Sequence, residues 1–496
     1  MSKIFMGVRL RSLRQERGLT QAALAKALDL SSSYLNQIEQ DQRPLTVPVL
    51  LKINKVLGVD IQLFSEDEEA RVLTQLKDAL SVLPPELAAV PMAELRAITS
   101  KLPHVAKAML ALHQRYVAST EQIELLAAHA NGESVPLSDE AKTSDGALAA
   151  APPQMPYEAV RDFFFARRNY FDALDCAAES LAAQAREHGD NVVEWLKQRL
   201  QASHALRVVP MDAARDKEEL SYRYFEAKTR VLYIAQHLRP GQQAFHMATQ
   251  LALLEFEQHI EQELQAADWQ DVATQRLARI GLANYVAGAF LLPYRRFLAA
   301  AERVQYDVDV LARQFDVGFE TVCHRLSTLQ RPEAPGVPFF FVRVDRAGNI
   351  SKRQSATHFH FSKTGGTCPL WVVYEAFQRP GEVVPQLASM PDGRMYFWIA
   401  RTVTTPGKRW GAPKKTFSIG LGCDVRHAHR LIYAKGLDLR RTDAATPIGM
   451  GCKVCERPAC PQRAFPHIGK PLQVSENESG LIPYVSACPS GQGVST

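Results

Sequence analysis

Three cysteines fall within nine residues near the end of the chain, Cys452-Lys-Val-Cys455-Glu-Arg-Pro-Ala-Cys460, in a loop that also carries Gly449 and Gly451. Thiolates at this spacing suit one metal centre, and glycine lets the backbone wrap closely around it. Three thiolates need a fourth ligand. Cys423, after the run Ile419-Gly-Leu-Gly, is the first choice; His467, His427, His429 and Cys488 are alternatives. Four cysteines suit either zinc or an iron–sulfur cluster. The remaining cysteines, Cys176, Cys323 and Cys368, stand alone and read as inert thiols.

A second set of chemistry-bearing residues lies at the other end. Ser31, Ser32, Ser33, Asn36, Gln37 and Gln40 gather on one short segment, with Gln21 before it and Arg43 after it. Asn and Gln pair with adenine through two hydrogen bonds, Ser reaches bases or phosphate, and Arg clamps phosphate. Residues 1–60 hold nine basic and five acidic side chains, so this segment carries most of the chain's net charge of +5. A phosphate-facing module requires that excess, and the expected partner is a double-stranded DNA operator.

The elements that must position these residues follow from caps and breakers. Residues 7–18 form a first helix ended by Gly18. Thr20 caps a second over 21–28, Asp29-Leu30 turn the chain, and Ser31 caps a third through Glu39. Pro44 breaks the chain before a fourth helix over 47–57, closed by Gly58. Helix, turn and recognition helix in this order form a DNA-reading helix-turn-helix. The run Gly-Leu-Thr-Gln-Ala-Ala-Leu-Ala…Ser-Tyr-Leu-Asn-Gln-Ile-Glu resembles the Xre/Cro-like helix-turn-helix family, whose members bind paired half-sites as dimers.

Residues 66–130 read as a helical connector and 131–156 as a linker rich in small and polar residues. Residues 157–335 return to helical periodicity. Residues 336–496 form a mixed α/β domain, with strand, turn and strand over 339–350. Further strands are expected at 371–377, 394–403 and 416–421, with a helix over 425–436. The fold class is therefore α+β: an all-α head over 1–65, a helical middle, and a C-terminal mixed domain with a cysteine-rich, metal-binding tail. The 496 residues suit two to four domains, and eight cysteines do not make a disulfide scaffold. Neither a signal peptide nor a membrane-spanning run is evident, so a cytoplasmic location is expected.

The middle is informative by what it lacks. The stretch Ala244-Phe-His-Met-Ala-Thr-Gln-Leu-Ala-Leu-Leu-Glu resembles the zinc helix of the ImmA/IrrE-type metallopeptidases. Gly281-Leu-Ala-Asn-Tyr-Val resembles their third-ligand helix. Zinc hydrolysis needs His-Glu-x-x-His, two histidines on one helical face with a glutamate base. At those positions stand Thr249, Gln250 and Leu253, and Leu282 replaces the third ligand. His246 is three residues early and has no partner at i+4. The chain reads as a non-enzyme that keeps the scaffold, and its dead cleft is a place to bind a small molecule. Arg167, Arg168 and Tyr170 open this domain with groups suited to an anionic, purine-containing ligand, and Tyr222 and Arg295 extend the set.

The whole chain resembles the short-chain fatty acyl-CoA regulator family, which includes activators of glyoxylate and methylcitrate-cycle genes. The resemblance rests on the head with Arg43-Pro-Leu-Thr-Val-Pro, the degenerate middle with Phe290-Leu-Leu-Pro, and the Cys-x2-Cys-x4-Cys tail. It implies a cytoplasmic transcription factor responsive to acyl-CoA and a four-cysteine [4Fe–4S] cluster, zinc being the alternative. Cys452, Cys455 and Cys460 carry over by motif match, with Cys423 as the fourth ligand. An acyl-CoA joining the middle and the cysteine-rich domain, and so setting the geometry of a homodimer or homotetramer, is the expected mode of control.

Overall fold

The caps expected from sequence set the head. Thr20 Oγ1 accepts from the Ala23 N–H and Ser31 Oγ from the Tyr34 N–H, each at 3.1 Å. The structure is a computed structural model. It describes residues 7–40, 42–46, 48–50, 52–53, 66–80, 90–130, 156–189, 191–211, 221–267, 269, 271–355, 367–405, 410–411, 414–449, 451–455, 457, 459–467, 472–474, 477, 480–482 and 485–486. The linker at 131–156, save Pro156, and Cys488 lie outside these residues, as does most of the fourth head helix, of which 48–50 and 52–53 are helical. The described residues fall into two compact units. One comprises Met1–Pro153, His358–Cys368 and Gly449–Thr496; the other comprises Gln154–Thr357 and Pro369–Ile448.

In the first unit, α1 (Gly7–Glu16), α2 (Gln21–Ala27) and α3 (Ser32–Glu39) close on a core of Leu10, Leu24, Leu28, Leu35 and Ile38. Gly18 ends α1 at φ +63°, a left-handed conformation in which a Cβ would be strained. The connector is three helices that pack on one another, α4 (Glu66–Leu80), α5 (Met92–Lys101) and α6 (Pro103–Ala130).

The second unit begins with α7 (Pro156–Ala166), α8 (Asp172–Glu187) and α9 (Val192–His204). A three-stranded sheet follows, β1 (Arg207–Pro210), β2 (Arg223–Glu226) and β3 (Val231–Ile234), in the order β1-β3-β2. The sequence reading placed only helices here. Strands of four residues are too short to show a two-residue period, and β1 pairs with β3 in parallel across 24 residues, which no local pattern reports. Helices α10 (Pro240–Glu255), α11 (Glu257–Gln265) and α12 (Val272–Leu291) then build an apolar core with α8 and α9.

Helices α13 (Tyr294–Arg303), α14 (Val308–Gln314) and α15 (Phe319–Leu326) share their core with the C-terminal sheet. The packing therefore runs without interruption across residue 335. The sheet contains β4 (Phe340–Val344), β5 (Ile350–Ser355), β6 (Val384–Ser389), β7 (Met395–Thr405), β8 (Lys415–Asp424) and β9 (Thr446–Pro447), in the order β5-β4-β8-β7-β6-β9. All pairings are antiparallel except β6 with β9. Gly422 faces Trp398 across the β7–β8 ladder, where a Cβ would lie 2.4 Å from the indole. Glycine is required there to seat the buried ring.

Two C-terminal expectations are corrected. Residues 371–377 are not a strand: Val372–Glu375 form a short helix, its first N–H held by Gln386 Oε1 at 3.0 Å. Consecutive buried Val372 and Val373 carry no alternation to separate strand from helix. Residues 425–436 are not one α-helix but two 3-10 turns, Val425–Arg430 and Ile432–Ala434, with Asp424 accepting from the Arg426 N–H. No helix among the described residues is long and apolar enough to cross a membrane.

Candidate functional site: a DNA-reading head, a ligand-free peptidase scaffold and a cysteine loop

On α3, Leu35, Ile38 and Glu39 point into the core, which leaves Ser33, Asn36, Gln37 and Gln40 on the opposite face at i, i+3, i+4 and i+7. Ser32, Ser33, Gln40 and Arg43 are exposed, while Asn36 and Gln37 are half-buried. The angle of this helix is set from inside. Glu39, 4% exposed, takes a bidentate bond from Arg14 (2.7 and 3.0 Å), and Arg14 also donates to the Leu19 carbonyl. Its bond to Glu39 raises the Arg14 pKa from its ordinary value.

Gln21 Nε2 donates to Glu39 Oε2 at 3.0 Å and to Asn36 Oδ1 at 3.2 Å. Two residues expected at DNA are thus bonded to each other, and each keeps part of its hydrogen-bonding capacity. Ser31 Oγ is committed to its cap. Arg43 stacks over Tyr34 at 5.5 Å, which holds the guanidinium beside the recognition helix.

In the middle, α10 and α12 lie against one another as two zinc-bearing helices would. Thr249 and Gln250 are buried, Leu282 is fully buried, and Leu253 packs against the core. The Thr249 hydroxyl donates to the Phe245 carbonyl at 2.8 Å and lies 3.3 Å from Asn284 Oδ1. A neutral contact and aliphatic packing occupy the positions where the peptidase motif has its ligands and base, so hydrolysis by that chemistry has no means here. His246 stacks on Tyr222, ring centroids 5.7 Å apart. Burial, and then the neighbouring Arg223, depress the His246 pKa to about 4.

The ligand candidates do not gather at one point. Arg167 pairs with Glu263 at 3.2 Å and lies over the Phe163 ring at 4.1 Å. Arg168 is half-buried at φ +51°, where α7 gives way to α8. Tyr170 donates to Asp172 and accepts from Arg331 (2.6 and 2.9 Å), and burial pushes its hydroxyl pKa up. Arg295 is exposed and its backbone N–H bonds Glu179, which also pairs with Arg331. Tyr222 stands apart, just before β2, stacked with His246 of α10. Behind Tyr170, Asp175 is fully buried and receives Arg325, Arg331 and the Tyr285 hydroxyl. Nothing in the sequence separated these from ordinary surface charges.

In the tail, Cys452 and Cys455 are buried and Cys460 is half-buried. The Ala464 N–H donates to Cys452 Sγ at 3.2 Å. A Cβ at Gly449 would fall 2.6 Å from Cys455 Sγ, so the backbone passes the thiol where only glycine fits. Three thiols with a backbone N–H aimed at sulfur and a glycine cradle fit a thiolate-bound metal in donor type and loop form. Among the described residues no three His, Cys, Asp or Glu side chains converge in metal-holding geometry. Cys423 belongs to the other unit, within the apolar core beside Phe397 and Leu421, and burial raises its thiol pKa.

Comparison with known proteins follows the same three parts. Residues 10–64 match a helix-turn-helix family, 201–327 the IrrE N-terminal-like domain, and 328–484 the family described as short-chain fatty acyl coenzyme A regulator, C-terminal. The chain is 49% identical to the HTH-type transcriptional regulator RamB of Mycobacterium tuberculosis, over 98% of this chain and 99% of RamB. The chain belongs to the short-chain fatty acyl-CoA regulator family. Another similar member is the M. tuberculosis HTH-type transcriptional regulator PrpR, 48% identical over 98% of this chain and 96% of PrpR. The propionyl-CoA carboxylase regulator of Cereibacter sphaeroides is 41% identical over 97% and 98%. A solved structure of a M. tuberculosis transcriptional regulator covers 66% of this chain and 99% of its own, with TM-score 0.64 and 50% identity. In this chain, Thr249, Gln250 and Leu253 mark an IrrE-like scaffold without the His-Glu-x-x-His residues of its hydrolytic chemistry.

Proposed function

We propose that this chain is a cytoplasmic, DNA-binding transcriptional regulator of short-chain fatty acid metabolism, with a short-chain acyl-CoA as effector and a [4Fe–4S] cluster on its cysteine loop. The observation that carries the reading is the near full-length likeness to the RamB and PrpR regulators, together with a helix-turn-helix whose reading face is intact. The replaced ligand positions of the IrrE-like domain support a regulator rather than a peptidase. Cys452, Cys455 and Cys460 supply three thiolates in this proposal. Cys423 is the fourth on the strength of the family resemblance. When bound, a cluster cross-links the loop and makes it responsive to iron and oxidant.

One head reads one half-site, so a homodimer or homotetramer is part of the proposal. Exposed Leu102, just before α6, and exposed Val105, Leu112 and Tyr116 on α6 follow coiled-coil spacing with half-buried Met109. Such a seam is complementary to a second copy of itself. Leu112→Glu is expected to halve the mass seen by light scattering; an unchanged mass would place the pairing elsewhere.

The effector acts only through a difference in affinity between two conformations. The test begins with duplexes selected by the protein from a random library. Anisotropy titrations then compare operator affinity with and without saturating propionyl-CoA or acetyl-CoA. A change of fivefold or more, about 1 kcal/mol of coupling, supports the reading. Unchanged affinity with metal-loaded protein leaves a metal or redox sensor without a CoA ligand.

A further inference from the structure

The tail contains a buried cation, Arg463, whose partners among the described residues are all backbone carbonyls. Arg463 is 5% exposed, and among the described residues no carboxylate pairs with it. Its guanidinium instead donates to backbone carbonyls: Nη1 to Cys452 O (3.3 Å) and Phe465 O (3.4 Å), Nη2 to Cys455 O (2.9 Å) and Arg457 O (2.6 Å). Its own backbone N–H donates to Cys460 O at 3.2 Å. One residue therefore bonds the carbonyl of every cysteine in the Cys-x2-Cys-x4-Cys run. The next N–H, from Ala464, points at Cys452 Sγ.

Burying a full charge against neutral carbonyls alone is costly, because a guanidinium out of water needs a counter-charge. A lysine could not bond four carbonyls from one planar fork, and a neutral side chain would bond them without the charge penalty. The arrangement makes physical sense when the loop itself becomes anionic. Three thiolates on a metal centre would supply that charge on the same loop whose carbonyls the guanidinium bonds.

We propose that Arg463 is a positioning residue for the cysteine loop, holding the three cysteine backbones in place and supplying the fixed positive charge that an anionic thiolate-bound centre requires. The inference rests on reading the loop as such a centre. Two properties then separate. The fork sets how long the loop keeps its metal; the charge sets how readily the centre accepts an electron, since a nearby cation favours the more negative, reduced state.

The experiment uses full-length protein reconstituted anaerobically with iron and sulfide, as wild type, Arg463→Lys and Arg463→Met. Reduction potential and the rate of cluster loss in air are read by absorbance and electron paramagnetic resonance. Arg463→Lys is expected to keep a wild-type potential but lose its cluster at least threefold faster. Arg463→Met is expected to lose it as fast and to titrate at a more negative potential. Wild-type potential and lifetime in Arg463→Met overturn the proposal. If Arg463→Met holds no cluster, Arg463→Lys decides alone: unchanged lifetime overturns, shortened lifetime supports. If wild type binds no iron, the iron–sulfur reading fails. The Arg463 proposal is then read from cobalt(II) titration, where Arg463→Met must bind more weakly than wild type by threefold or more and equal binding overturns it.

Discussion

Asp175 and Arg325, 150 residues apart in the chain, meet in a bidentate ion pair of 2.7 and 3.1 Å in which Asp175 has no exposure to solvent. Tyr285 donates to the same carboxylate at 2.6 Å, and Arg325 Nε to the Leu292 carbonyl at 3.0 Å. The pair ties α8 to α15, the helix at the end of the IrrE-like match. Arg325→Met leaves Asp175 buried with less compensation, and is expected to cost about 3–5 kcal/mol of stability in urea titration. The double variant Asp175→Leu, Arg325→Met is expected to recover more than half of that loss. A double variant no better than the single would show that the pair is not the origin of the cost.

Arg14 and Glu39 act similarly in the head, but their loss reaches function. Glu39→Ala is expected to destabilise the head by about 3 kcal/mol and to release Gln21 and Asn36 from their shared geometry, weakening operator binding. Ser33→Ala should leave thermal stability unchanged and weaken only the selected duplex. A Ser33→Ala variant with full preference for its selected site would move base reading off this face.

Arg43 is exposed beside α3 and reads here as a phosphate contact. Arg43→Ala is expected to weaken binding to selected and random duplexes alike, and to lower the slope of log affinity against log salt by about 1. A loss confined to the selected duplex would make Arg43 a base contact instead.

His246 gives a pH signature. Its folded pKa, about 4, lies below the ordinary 6.5, so the unfolded chain binds the proton more readily between these values. The contribution of neutral His246 to stability is complete above pH 6.5 and is lost as the pH falls towards 4. His246→Gln cannot protonate, so its stability relative to wild type should rise as the pH falls through that window. Parallel curves for the two proteins across pH 4–7 would refute the assignment.

The cysteine set is tested by substitution. Cys455→Ala is expected to abolish iron and sulfide retention while leaving far-UV circular dichroism intact. Cys423→Ala is the informative partner. If Cys423 is a ligand, iron falls to the level of Cys455→Ala; full iron with a small loss of stability would make it a core thiol and send the search for the fourth ligand to His467.

The parts legible in sequence are those whose physics is local. Thr20 and Ser31 cap helices with bonds spanning three residues, Gly18 ends α1 in place, and the cysteine run declares its donor type by spacing. The absence of ligands at Thr249, Gln250 and Leu253 is likewise a statement about residue identity. Tertiary structure decided what depends on partners far along the chain. It bonded Gln21 to Asn36, gave Tyr170 to Asp172 and Arg331, paired β1 with β3, and set a short helix at Val372–Glu375 whose first N–H bonds Gln386. It also placed Arg463 against the cysteine carbonyls. Backbone carbonyls are the same at every residue, so no sequence pattern announces which side chain will bond them; only the folded path of the loop does.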